Sequence, residues 1–88
     1  MRQVWIDCTK MVDEASVHDT FAEALEFPAY YGRTLDALYD MLTESAELHL
    51  TLTNPSALGK LFRYGDNLKL TLEDAAKDND LLTLEYQG

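Results

Sequence analysis

Asp36, Asp40 and Glu44 recur at intervals of four in this 88-residue chain. On a helix that spacing stacks three carboxylates on one face. Tyr39, three residues after Asp36, shares the face, and Tyr30 can reach it from the preceding loop. Like charges so placed cost an isolated helix roughly 0.2–0.5 kcal/mol per pair. No lysine or arginine between positions 35 and 44 relieves them. A face that gives up stability in this way suits a partner of opposite charge. A plain solvated face has the same spacing, and charge alone does not separate the two readings.

Paired carboxylates can also act as acid and base or bind a metal, as in a carboxylate-dependent hydrolase. General acid–base catalysis needs one carboxyl with a raised pKa in a dry pocket. An exposed helical face on a small scaffold does not supply one. Neither His-x-x-x-His nor Cys-x-x-Cys nor a calcium-loop spacing occurs, so no metal is expected. His18 and His49 fall on different elements, and nothing nearby activates Cys8, which reads as filler at a strand end. Trp5 is assigned to the core. The four glycines form no phosphate-binding loop. No catalytic residue and no cofactor is therefore assigned, and the reading is of a protein that binds rather than an enzyme.

The charge balance points the same way. Sixteen acidic against seven basic residues give a formal net charge of −9 and a pI near 4.3. Such a surface repels phosphate backbones and disfavours direct nucleic-acid binding. It favours a cationic partner such as a nuclease groove. One cysteine forbids an internal disulfide, which fits a reducing compartment. The first residues carry no apolar run suited to a signal peptide or a membrane span, so the expected location is the cytoplasm. The length fits one domain, 1–88. Such a domain buries only about 60–65% of its unfolded surface, leaving little room for a deep cavity.

The elements that would present the acidic face can be read from periodicity. Val4-Trp5-Ile6 is a short strand. Val12, Val17, Phe21, Ala24 and Leu25 form the apolar stripe of a first helix, ended by Pro28. Thr34 can cap a second helix whose core residues are Leu35, Leu38 and Leu42, with Asp36 in its first turn. Leu48 to Thr53 alternates as a strand, with His49, Thr51 and Thr53 on the less covered face. Asn54-Pro55 starts a short helix that Gly65 stops. Asp66 or Asn67 opens a last helix with Leu68, Leu72, Ala75 and Ala76, and Leu81 to Tyr86 closes as a strand. The order β-α-α-β-α-α-β with helical crossovers predicts a two-layer α/β domain: three parallel strands packed by about four helices.

The stretch Pro28 to Leu42 reads Pro-x-Tyr-Tyr-Gly-x-x-Leu-Asp-Ala-Leu-Tyr-Asp-x-Leu. It resembles the signature of the barstar family, intracellular inhibitors of the secreted bacterial ribonuclease barnase. Weaker likeness extends to the first strand, the first helix and Leu72-Glu73-Asp74-Ala75. The resemblance implies a three-stranded parallel sheet packed by helices, and a ribonuclease as partner in a one-to-one complex. The lysine-poor helices give no sign of a dimer seam, so the free protein is expected to be a monomer. The resemblance also makes Asp40 the main anchor, standing in for a substrate phosphate, with Asp36 pairing neighbouring cations. Tyr30 and Tyr39 would give aromatic contact, Tyr39 standing where the family often has tryptophan, and Gly32 would let the loop backbone approach closely. The acidic contact from the last helix falls on Asp74, with Glu73 as second choice. Arg33 and Thr34 replace an acid and an asparagine, Met41 replaces a cysteine, and an aromatic, acidic loop becomes Thr43 to Glu47. These departures bear on the partner's identity more than on the mode of binding. They also leave open a regulatory interaction module of the same fold without nuclease binding.

Overall fold

The structure, a computed structural model, describes residues 2–88. Three parallel strands, β1 (Arg2–Asp7), β2 (Leu48–Thr53) and β3 (Leu82–Gln87), lie in that order with β2 central. The ladders run in step, so that Arg2, Leu48 and Leu82 sit side by side. Three α-helices connect them: α1 (Glu14–Leu25), α2 (Leu35–Thr43) and α3 (Arg63–Asp78). The period-2 alternation sends Ile6, Leu48, Leu50, Leu52 and Leu82 to one face, where they join Phe21, Leu38, Leu42, Leu68 and Leu72 in a single buried cluster. The α/β class and parallel sheet agree with the sequence pattern.

Several boundaries differ from it. Helix α1 begins after Asp13, whose carboxylate accepts from the Ser16 amide at 2.8 Å while the Ser16 hydroxyl receives the Asp13 amide at 3.0 Å. That reciprocal cap leaves Val12 outside the helix and 57% exposed, and buried Met11 takes the core position instead. The helix ends two residues before Pro28 is reached, at a left-handed Glu26 (φ 56°), with the Phe27 amide donating to the Ala22 carbonyl. A short 3₁₀ turn, Cys8–Lys10, follows β1, and the segment Pro55–Leu61 is 3₁₀ rather than α. Asn54 precedes it in a left-handed conformation and gives no side-chain cap; its amide reaches Asp7 instead, at 3.4 Å.

Gly65 does not stop a helix. The break lies at Phe62 (φ 54°), and Gly65 is buried in the first turn of α3. A Cβ there would stand 2.4 Å from the Leu58 carbonyl oxygen, so the glycine permits the 3₁₀ segment and α3 to cross closely.

The sheet's second face carries Gln3, Trp5, His49, Thr51, Thr83 and Glu85, neighbours by register. Trp5 is 58% exposed there, so it is not a core residue. Thr51, on the central strand between Trp5 and Glu85, is buried despite lying on this face. Cys8 is fully buried, and that burial pushes its thiol up to about 11, leaving it protonated and unreactive at neutral pH.

Candidate functional site

The loop between α1 and α2 turns sharply, with the Tyr31 amide donating to the Pro28 carbonyl at 2.9 Å. The adjacent tyrosines then part. Tyr30 is 85% exposed, while Tyr31 is buried against Phe27, ring centroids 4.7 Å apart. The Tyr31 hydroxyl lies 2.7 Å from His18 Nδ1, and the Tyr64 hydroxyl lies 2.7 Å from His18 Nε2. A neutral imidazole meets this geometry by donating from one nitrogen and accepting at the other. Burial, then the Arg33 charge, holds the His18 pKa below its usual value. Burial also pushes the Tyr31 phenol up to about 12. A neutral, uncharged clamp from α1 and α3 thus pins the base of the loop.

Beyond it, Arg33 adopts a left-handed backbone (φ 56°). Its guanidinium donates to Asp19 at 2.6 Å and to the Ala15 carbonyl at 3.2 Å, both on α1. The cation is thereby drawn onto α1. Gly32 is exposed and has no positive φ; a Cβ would meet the Ala37 Cβ at 3.2 Å, so its smallness serves packing against the start of α2. Thr34 caps α2, its hydroxyl oxygen accepting the Ala37 amide at 3.0 Å.

Leu38 and Leu42 face inward and leave Asp36, Asp40 and Glu44 exposed on α2. Among the described residues none of these three carboxylates has a hydrogen bond or an ion pair. Glu44 sits at the C-terminal cap, and the last turn holds no basic residue. An anion at that end opposes the helix dipole, an unfavourable placement of about 0.3–1 kcal/mol. The face is thus held against like-charge repulsion, and Glu44 also against the dipole, whereas Asp36 in the first turn is favoured by it.

Tyr39 is half-buried in the seam between α2 and α3, its hydroxyl donating to Asp78. That bond, then desolvation, then the charges of Asp78, Asp74 and Asp40 raise its pKa. Helix α3 therefore contributes Asp74 and Asp78, four residues apart, to the acidic surface around Asp40. Glu73 points elsewhere, its carboxylate accepting from the Tyr86 hydroxyl of β3 at 3.4 Å. Of the two acids weighed on α3, Asp74 is the one beside α2. Asp78 was missed, although its i,i+4 relation to Asp74 repeats the pattern read on α2.

His49 makes a separate arrangement on the open sheet face. Its Nε2 lies 3.2 Å from Glu85 and its Nδ1 lies 2.6 Å from Thr83. With Nε2–H donating to the carboxylate, Nδ1 accepts the threonine hydroxyl. The described residues hold no cluster of three or more potential metal ligands.

This geometry, acids of two helices beside an outward tyrosine on a clamped loop, coincides with a family match. The model of the family described as Barstar (barnase inhibitor) matches residues 1–80. The chain belongs to the barstar family. A Bacillus subtilis (strain 168) protein named "Putative ribonuclease inhibitor YrdF" is 46% identical over 52 residues, covering 59% of this chain and 57% of that protein. The match thus spans less than two thirds of that relative's length. The barstar fold, a three-stranded parallel sheet with its helices, is the one observed here.

Proposed function

We propose that this barstar-family chain inhibits a barnase-like ribonuclease by setting the carboxylates of α2 into the enzyme's phosphate-binding groove. The observation that carries the reading is the exposed row of Asp36, Asp40 and Glu44 along α2, like charges on one face with no cation among the described residues to relieve them. Asp40 takes the place of a substrate phosphate, and Asp36 meets flanking cations. Asp74 adds charge from α3, Tyr30 supplies a flat exposed ring, and Gly32 and Thr34 shape the approach of the loop. Glu44 extends the row, and Tyr39 fixes the seam from which Asp40 projects.

The physics of such docking is direct. A nuclease groove concentrates positive charge, so a fixed set of anions meets complementary potential and accelerates encounter. Arginine pairs a carboxylate through two charge-assisted hydrogen bonds, as it does a phosphate. The backbone that presents the carboxylates loses little freedom on binding, because the loop and the start of α2 are already braced by Thr34, Arg33 and His18. Inhibition is by occlusion, with no chemistry on the inhibitor's side. A lone buried thiol fits action in the reducing cytoplasm, and among the described residues no helix is long and apolar enough to cross a membrane.

Titration of this protein into barnase, with RNA hydrolysis as readout, tests the reading. The expected result is loss of activity at one equivalent. Full activity in the presence of a large excess would overturn it.

A further inference from the structure

A groove of about 360 Å³ opens where the α1–α2 loop, the end of α2 and the start of β2 meet. Its volume falls at the lower end of the range for small-ligand pockets, about 300–1,000 Å³. Half-buried Phe27 and Met41 give it an apolar floor. Tyr30 and Glu44, residues of the acidic surface, form part of its wall. Arg2 also lines it, held on Glu26 at 3.8 Å and on the Ala24 carbonyl at 3.3 Å.

Resting on the ribonuclease-inhibitor reading, we propose that this groove is an accessory subsite that accepts one arginine side chain of the partner enzyme from outside its active site. Two features select that occupant. The groove is continuous with the docking face through Tyr30 and Glu44, so a docked basic protein is brought to its mouth. Its chemistry is that of an amphipathic cation: apolar floor for the aliphatic stem, the Glu44 carboxylate for the charge, and an exposed tyrosine ring on which a planar guanidinium can stack. Arg2 is already engaged with Glu26, which leaves Glu44 as the acceptor for the incoming cation. The segment from Glu44 to Glu47 borders the groove, so the subsite would set which ribonuclease is recognised.

The test uses free probes on the whole protein. N-acetyl-arginine amide is titrated against the ¹⁵N-labelled chain and amide shifts are followed, with N-acetyl-norleucine amide as the uncharged counterpart. Saturable shifts at Met41, Glu44 and Ala46 are expected for the arginine probe and not for norleucine. Glu44→Gln is expected to weaken the arginine response roughly two- to fivefold, the range of a solvent-exposed ion pair, and Ala46→Trp, at an exposed position, to abolish it by filling the groove. Absence of saturation up to the solubility limit, or equal responses to both probes, would overturn the subsite. Barnase inhibition and its dependence on Asp40 are measured separately, so loss of either proposal is told apart from loss of the other.

Discussion

Two acidic stretches flank the α1–α2 loop and end in opposite electrostatic states. On α1, Asp19 is neutralised by Arg33 at 2.6 Å, and Asp13 is engaged by the Ser16 amide that it caps. On α2, Asp36 and Asp40 have no such partners among the described residues. The difference shows that the local electrostatic potential follows from which charges the fold leaves unmatched, more than from the net count of −9. Arg33 is the pivot: it interrupts the acidic motif in sequence, yet in space it belongs to α1 and leaves the α2 face anionic.

The contrast breaks most sharply by removing one unmatched charge. Asp40→Ala is expected to weaken the barnase complex by about 3–5 kcal/mol, the cost of stranding a buried charge without its partner. Glu23→Ala, which removes an exposed acid of α1, is expected to leave affinity within about 0.5 kcal/mol. Calorimetric titration of both variants measures the pair, and equal losses would erase the distinction between the two stretches.

The clamp that holds the loop between them comes next. His18→Ala strands two tyrosine hydroxyls, one on the loop and one on α3, and is expected to cost about 2–3 kcal/mol. For a domain of this size that lowers Tm by roughly 10–20 °C. The same group gives a pH signature. Its folded pKa lies below the unfolded value of 6.5, so the unfolded chain binds the proton more readily. The stability contributed by neutral His18 is complete above about pH 6.5 and falls as the pH drops from there toward the folded pKa. Denaturant midpoints from pH 8 to pH 5 check this: the wild type loses stability across the window, and His18→Gln is expected to lose less.

The smallest effect concerns the pivot. Asp19→Ala frees the Arg33 guanidinium beside the proposed docking face, and both partners of that ion pair are substantially exposed. Stability is expected to change by less than about 1 kcal/mol. Affinity for barnase is expected to fall a few-fold, as an unmatched cation enters the field of Asp36. An unchanged affinity would show that Arg33 stays on α1 without its carboxylate, held by the Ala15 carbonyl alone.

Much of this was legible in the residues. The strands, the three-stranded parallel sheet and the Thr34 cap follow from alternation, crossover length and local hydroxyl chemistry, and the stacking of Asp36, Asp40 and Glu44 follows from helical period. What escaped depends on contacts distant in sequence. Nothing local in His18 announces hydrogen bonds to Tyr31 and Tyr64, the latter 46 residues away. Gly65 reads as a terminator unless one knows that Leu58 crosses above it. Trp5 reads as core because large apolar residues usually are, whereas the open side of a two-layer sheet leaves it in solvent. Asp78 joins the acidic surface only because α2 and α3 pack side by side and Tyr39 bridges them.

The central claim is that carboxylates of α2 occupy the space a ribonuclease reserves for phosphate. Competition between this protein and a mononucleotide bound at the active site of barnase tests it most directly. The account predicts mutual exclusion, with the apparent Kd of the protein rising in proportion to nucleotide concentration. A ternary complex, with affinity indifferent to the nucleotide, would contradict it.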